Sequence, residues 1–547
     1  MFFRELSKFG KNIALIDCRT GRNINYLDLD TTTEELAKQL NQQKELVFIE
    51  IKNNIQSVIN YLACLKTNKV IYLLDDLKDT KTKELIKQYK PNLIINGQGE
   101  IQRFSETAHT LHDQLILLLS TSGTTGTAKF VKLSATNLHS NAASIVEYLN
   151  LSETDIALAH LKLHYSYGLS ILHSHLLVGA TTAFSDKSIL EDEFWAHLQT
   201  YSATSFAGVP YTFEALLKTN FDLQKYPSLR YITQAGGKLE APLVKQYVQY
   251  SAENNVDFFV MYGQTEAAPR ISYLPPELAM EFPGAIGRAI PNGKLLLLND
   301  DGEEISALDT SGELAYQGDN VMMGYAQSVS DLASDETPEL LLTGDIACRT
   351  KHDLFYIVGR SKRFVKLFGL RVNLDDVQSF VHSLYPHSAV AGDDRYISIG
   401  LEKAQHIDEK KLKEQLSAQY ALPEDNFKIK TFDKLPLLAS DKYDYKKIME
   451  EVQHDATPFI NRVLSKIADI LELNDNQWDS ISSLFSKALN VNEPQPEASF
   501  NTLNSDSLSF VYLSVELEQC LGDDLPEHWQ QYSIAELDQI YATVRSN

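Results

Sequence analysis

Residues 115–134 read LILLLSTSGTTGTAKFVKLS. The apolar run LILLLS is strand-length and ends in turn-forming residues, as a buried strand does. FVKLS (130–134) reads as the strand that leaves, which makes the intervening residues the tip of a hairpin. Residues 120–134 carry seven hydroxyl side chains and two glycines around Lys129 and Lys132. That composition suits a flexible linker. It also suits a loop whose backbone N–H groups and hydroxyls wrap phosphate oxygens, with glycines allowing close approach. A Walker A loop is excluded, because its Gly–Lys spacing differs and a helix must follow it. The loop alone leaves linker and phosphate cradle both open.

Outward from this hairpin, short apolar runs alternate with helix-like stretches. ELVFIEI (45–51), KVIYLLD (69–75) and NLIIN (92–96) read as strands. SVINYLACLKT (57–67) and KTKELIKQY (81–89) read as the helices between them. YSATSFAGVP, an apolar helix at 211–218 and VDFFVMYG (256–263) continue the series. Such alternation predicts βαβ units and a largely parallel sheet. From about residue 295 the pattern shifts to KLLLLNDDGEEI, GELAYQGD and DLFYIVGR, whose DDG and GD pairs predict antiparallel hairpins. No internal repeat is present.

With 547 residues, the chain exceeds one hydrophobic core and predicts about three or four folding units. The net charge of −23 argues against non-specific nucleic-acid binding. Residues 475–547 concentrate it, with twelve acidic and two basic side chains. Cys18, Cys64, Cys348 and Cys520 are scattered, a pattern of reduced thiols and of neither a disulfide frame nor a zinc site. The N-terminal MFFRELSKFGKNIALID lacks a signal-peptide core, and no run reaches the length of a membrane span. A cytoplasmic protein is the expectation.

Further motifs follow in order: LHYSYGLS (163–170), AGGKL (235–239), YGQTEAA (262–268), LLTGD (341–345), GRSKRFVKLFGLRVNLDDV (359–377) and LPLLASDKYDYKKI (435–448). Together with SGTTG-x-x-K, this series resembles the adenylate-forming superfamily, which includes acyl-CoA synthetases, peptide-synthetase adenylation domains and firefly luciferase. The resemblance implies an α/β fold. Its large N-terminal part, 1–360, has parallel-rich sheets and a small β-barrel-like portion. A mobile α+β subdomain, 361–450, follows. It also implies that ATP activates a carboxylic acid as an acyl-adenylate, with Mg²⁺ present, before transfer to a thiol.

By the same resemblance Thr121, Ser122, Gly123, Thr124, Thr125, Gly126 and Lys129 hold the β- and γ-phosphates. Thr265 contacts the α-phosphate, Glu266 holds Mg²⁺, and Tyr262, Gly263 and Gly236 flank the nucleotide. Asp345 takes the ribose hydroxyls, with Arg360 nearby, and Lys442 bridges the acid and the α-phosphate. Lys362 takes the hinge position, where the family usually has Asp. Phe130 stands where glycine is common and is expected to stiffen the exit strand. Asp441 replaces a glycine before Lys442, which leaves Lys446 and Lys447 as alternatives for that lysine.

The tail SFNTLNSDSLSFVYLSVELEQCLGDDLPEHW resembles an acyl- or peptidyl-carrier domain. An all-α four-helix unit over 475–547 is implied, joined by a linker helix at 451–474, with Ser507 carrying 4′-phosphopantetheine. Asp506 and Ser507 before an amphipathic helix also fit a plain N-cap. The implied partners are a phosphopantetheinyl transferase and downstream acyl-accepting enzymes that dock on an acidic carrier. LHYSYGLS lacks the aspartate with which amino-acid-activating relatives pair an ammonium, so a fatty, hydroxy or aromatic acid is favoured. Tyr165, Tyr167 and Phe206 are the expected acyl-pocket residues. Alternatives are a ligase for free CoA, an amino-acid-activating module, or a non-catalytic scaffold presenting the carrier.

Overall fold

The computed structural model describes residues 1–120, 129–217, 219, 221–299, 301–360, 363–367, 370–393, 395–403, 408–420, 422–438, 443–454, 480–489 and 494–503. Beyond these it describes 513, 517, 520–521, 525–526 and 529–546. The chain divides into two compact units, Met1–Phe364 with Leu437–Asp444, and Val365–Pro436 with Tyr445–Asn547.

In the first unit the hairpin is present as read. Leu115–Ser120 pairs antiparallel with Phe130–Ser134. It belongs to a seven-stranded sheet whose middle strands, Leu115–Ser120, Val70–Leu74, Leu46–Glu50 and Leu93–Ile95, run parallel. A nine-stranded sheet has six parallel central strands, from Asp257–Gly263 through Tyr231–Gln234, Ser205–Gly208, Ile156–Ala159 and Thr181–Phe184 to Ile13–Asp17. Leu15 of this sheet and Val47, Ile71 and Leu117 of the other share one buried cluster with Val58 and Leu62. Those last two lie on the helix Ile55–Lys66, in which every residue from Ser57 to Leu65 is buried. A stretch of helix without an exposed face needs cover on all sides, and its mostly apolar sequence, interrupted only by the buried Ser57 and Asn60, suits that.

The expected barrel-like portion takes a different form. Lys294–Leu298, Ser311–Gln317, Leu341–Arg349 and Phe355–Arg360 make an open antiparallel sheet of four strands. Four strands are too few to wrap a side-chain-filled interior, for which about eight are needed.

The second unit holds a three-stranded sheet, Ser388–Gly392, Ile397–Glu402 and Phe427–Phe432, mixed in direction. Val377 and Val381 of the helix Leu374–Leu384 and Leu412 and Leu416 of Glu409–Tyr420 pack into its core. Further along, Leu513, Leu517 and Leu521 recur every fourth residue and are buried with Ile481, Phe485, Trp529 and Leu537. Helices Ile481–Leu489 and Ile534–Ser546 contribute to that small apolar core.

Candidate active site

Parallel strands of an open α/β sheet present their carboxyl ends to ligands. Here the motif residues gather at such ends. Asp257–Gly263 closes on Tyr262 and Gly263, and Tyr231–Gln234 runs into Gly236. Gly236 sits at φ +87°, a left-handed conformation that favours glycine. At Gly263 a Cβ would come within 1.9 Å of the Pro269 carbonyl oxygen, so the turn closes only on glycine.

Beyond Gly263 the chain forms a short turn, Thr265–Ala267, that carries Thr265 and Glu266. Two buried asparagines hold it. Asn320 Nδ2 donates to the carbonyls of Ala267 (2.6 Å) and Arg270 (2.8 Å), and its Oδ1 accepts from Tyr316 Oη at 2.8 Å. Asn141 Nδ2 reaches the same two carbonyls at 3.4 and 3.2 Å. One turn earlier on that helix, Asn137 Nδ2 donates to Asp319 and Val321 carbonyls at 2.7 and 2.8 Å.

Glu266 Oε1 accepts a hydrogen bond from Tyr325 Oη at 2.9 Å. Lys129 Nζ lies 3.2 Å from the centre of the Tyr325 ring, so this tyrosine joins the foot of the hydroxyl-rich loop to the carboxylate. Burial and the Glu266 carboxylate together push the Tyr325 hydroxyl well above the ordinary tyrosine range, which keeps it a donor. Ser166 Oγ is 3.3 Å from Thr265 Oγ1. Asp345, buried in Leu341–Arg349, accepts from Tyr262 Oη at 2.5 Å, and the strand register sets Arg360 opposite it. Thr343 of the same motif donates to the Leu314 carbonyl at 2.7 Å and so anchors the strand.

Tyr167 Oη is 3.0 Å from Thr233 Oγ1, and burial raises its pKa to about 12. Tyr165 precedes the helix Ser166–Val178 and stands beside His164 at 4.2 Å between ring centroids. The Phe206 ring packs edge-on against Phe194 (6.2 Å) and Trp195 (5.6 Å), in a cluster separate from the one that holds Tyr167. Thr121, Ser122, Gly123, Thr124, Thr125, Gly126, Lys362, Lys442 and Ser507 lie outside the described residues.

The exit strand of the hairpin is fixed from both sides. Phe130 is fully buried against Tyr72 (4.5 Å) and Tyr89 (5.0 Å). Lys132, also fully buried, donates to the carbonyls of Asp331 (2.8 Å) and Ser334 (2.9 Å) and to Ser334 Oγ (3.1 Å). Tyr325–Ala326 adds itself to the sheet edge opposite Phe130 and Val131.

Tyr325, Asn137, Asn141 and Asn320 escaped the sequence reading. Only the asparagine pair at i, i+4 carried a local signal, since paired amides on a helix flank are costly to bury without partners. A doubly wound α/β scaffold with a carboxylate, a lysine and a hydroxyl-bearing turn at its strand ends has the donors and acceptors that suit a phosphorylated ligand.

The comparisons are more specific. Residues 69–326 match the AMP-binding enzyme family. The D-alanine–D-alanyl carrier protein ligase of Lacticaseibacillus rhamnosus is 27% identical over 371 residues, 62% of this chain and 72% of that protein. The 2-succinylbenzoate–CoA ligase of Bacillus pumilus is 27% identical over 406 residues, 68% of this chain and 81% of that one. Among solved structures, o-succinylbenzoate coenzyme A synthetase from Bacillus subtilis, in complex with ATP and magnesium ion, shares the fold. Its TM-score is 0.68 at 21% identity, covering 82% of this chain and 99% of that one. ATP-bound MatB from Rhodopseudomonas palustris gives a TM-score of 0.70 at 20% identity, covering 83% and 100%. The chain is therefore similar to acid–thiol ligases, and its residues 69–326 carry the match to the AMP-binding enzyme family.

Proposed function

We propose that this ligase joins a carboxylic acid to the α-phosphate of ATP and passes the acyl group to the thiol of a phosphopantetheine arm on its own Ser507. One observation carries the first step. Motif residues spread from position 129 to 345 come within bonding reach, with Tyr325 between two of them, as Lys129–Tyr325–Glu266, Ser166–Thr265 and Tyr262–Asp345.

In the first half-reaction a carboxylate oxygen forms a bond to the α-phosphorus, and the bond to pyrophosphate breaks. Catalysis of such displacement is mostly positioning and charge neutralisation. Asp345 would accept from the ribose hydroxyls once Tyr262 yields its bond, and Thr265 would orient the α-phosphate beside Ser166. Lys129 and the loop 121–126 would hold the outer phosphates. Lys442 would meet the charge that develops at the reacting carboxylate. Mg²⁺ fits the donors present. Glu266 offers a hard oxygen ligand, and the described residues hold no cluster of three His, Cys, Asp or Glu side chains. A cation shared between one carboxylate and substrate phosphates suits Mg²⁺ better than an all-protein cage. When bound it would neutralise phosphate charge.

In the second half-reaction the thiol sulfur attacks the acyl carbon, AMP leaves, and the thiol proton is lost to solvent. Fusion of 475–547 to the ligase, with 451–474 as tether, supports loading within one chain, since tethering raises the effective concentration of the arm. The buried repeat Leu513, Leu517 and Leu521 supports a helical carrier. Acid-dependent exchange of labelled pyrophosphate into ATP tests the first step. Intact-mass measurement of acyl retention on phosphopantetheinylated protein tests the second. A Ser507→Ala protein that still retains acyl thioester refutes loading in cis and favours free CoA.

A further inference from the structure

Arg270 opens the strand Arg270–Leu274 and is 96% buried, since only 4% of its surface reaches solvent. No carboxylate among the described residues lies within ion-pair distance of it. Its Nε has no hydrogen-bond partner, while the guanidinium stacks 4.3 Å from the centre of the Tyr167 ring and hydrogen-bonds the neutral hydroxyl of Tyr148. A ring face offsets only part of the desolvation of a buried cation. The backbone of Arg270 is itself pinned, through its carbonyl, by Asn141 and Asn320.

The side chain lines a largely apolar cavity of about 20 Å³, to which Phe206, His175, Ser170, Ser174 and Thr233 also contribute and no acidic residue does. Ser170 and Ser174 already donate their hydroxyl protons to the Tyr167 and Ile171 carbonyls, at 2.7 and 3.0 Å. His175 is kept neutral by burial, and with its Nδ1 donating to the Ile171 carbonyl its unpartnered Nε2 is an acceptor, so the guanidinium is the charged donor on this wall. The cavity adjoins the reaction centre. On the helix Ser166–Val178, Ser166 meets Thr265, and the next residue, Tyr167, meets Arg270.

We propose that Arg270 is an anion anchor for the far end of the substrate, which makes the substrate a short acid bearing a second carboxylate. This deepens the adenylation reading and rests on it. A guanidinium meets a carboxylate with charge-assisted, often bidentate hydrogen bonds and repels an ammonium. A cavity of this size admits a group of a few atoms rather than an acyl chain. The other occupant of comparable size is a single water.

The test is pyrophosphate exchange by the full-length protein with matched pairs: malonate against propionate, succinate against butyrate, glutarate against pentanoate. D-alanine and octanoate complete the panel. For at least one pair the dicarboxylate is expected to exceed its monocarboxylate by about 10- to 100-fold in kcat/KM, the range of one charged hydrogen-bonding contact. Arg270→Gln is expected to bring that ratio close to one, and Arg270→Lys to leave an intermediate ratio. Ratios are insensitive to a general loss of folded enzyme, and an ATP-induced thermal shift checks each variant. Wild-type ratios below about 3 in every pair, with octanoate or D-alanine the better substrate, would overturn the anchor while leaving adenylation intact. A protein that binds ATP but exchanges with no acid in an extended panel would overturn adenylation itself, and the anchor with it.

Discussion

Replacing Asn320 with alanine should loosen the turn that carries Thr265 and Glu266 without touching either residue. The magnitude follows from the bonds lost. Tyr316 Oη loses its acceptor, and a buried orphan of this kind costs about 1–3 kcal/mol. The carbonyls of Ala267 and Arg270 lose their shorter donors but keep the longer bonds from Asn141, a loss of about 0.5 kcal/mol each. Together these give about 3 kcal/mol. Unfolding entropy of about 2.1 cal/mol/K per residue, over a unit of roughly 370 residues, converts this to a fall in Tm of about 4 °C. Differential scanning calorimetry measures the shift, and pyrophosphate exchange measures its consequence, expected to be a fall of about tenfold in kcat/KM for ATP. Tyr316→Phe should cost about 1 kcal/mol, because it orphans only the amide oxygen. Asn141→Ala should cost less than Asn320→Ala, since its bonds are the longer set and its Oδ1 has no partner to lose. If Asn141→Ala proves the more damaging, or Asn320→Ala shifts Tm by less than about 1 °C, the asparagine clamp does not hold this turn.

Phe130→Ala should destabilise by about 3–5 kcal/mol, as for other large-to-small changes in a closed aromatic cluster. Urea unfolding reads it, and a loss under about 1 kcal/mol would mean that Tyr72 and Tyr89 collapse into the gap. Acid should also unfold the first unit early. Burial lowers the pKa of His160 and His164 to about 4 and of His173 to about 3, whereas unfolded histidine titrates near its ordinary value of roughly 6.5. Below pH ~6.5 the unfolded chain therefore binds more protons than the folded one. The stability held by neutral, buried rings is complete above that pH and drains as pH falls towards about 4, by up to ~4 kcal/mol per pH unit for three protons. Urea midpoints that stay level between pH 7 and 5 would contradict this.

Much of the fold was legible because each signal was local. LILLLS, KVIYLLD and VDFFVMYG are apolar runs of strand length, and each became a strand within two residues of its expected ends. The hairpin was legible too, since FVKLS pairs with LILLLS directly. The antiparallel segment after 295 was read correctly in direction but not in closure, because sheet closure depends on strand number and tilt rather than on any one strand. Motif order pointed to Tyr262, Glu266 and Asp345, and the structure brings Glu266 to Tyr325 and Asp345 to Tyr262. Tyr325 and Asn320 could not be found that way. The groups they brace, Glu266 and the carbonyls of Ala267 and Arg270, lie 50 or more residues away, and a lone tyrosine or asparagine in a loop carries no periodicity. Phe206, expected in the acyl pocket, packs against Phe194 and Trp195 and also lines the cavity beside Arg270.

The stretch from Tyr316 to Glu336 also sets where this chain can be divided. In sequence it lies within the antiparallel sheet, yet it gives Tyr325–Ala326 to the edge beside the hairpin, Asp331 and Ser334 to Lys132, and Asn320 to the turn of Glu266. A recombination or truncation point between 300 and 319 would strip a strand from one sheet, the partners of a buried lysine and a brace from the Thr265–Ala267 turn at once, and one between 320 and 333 would still remove Ser334 from Lys132. Exchange of modules between related chains is therefore confined to junctions beyond this stretch, and the part that carries the hairpin is inherited through residue 336 or not at all.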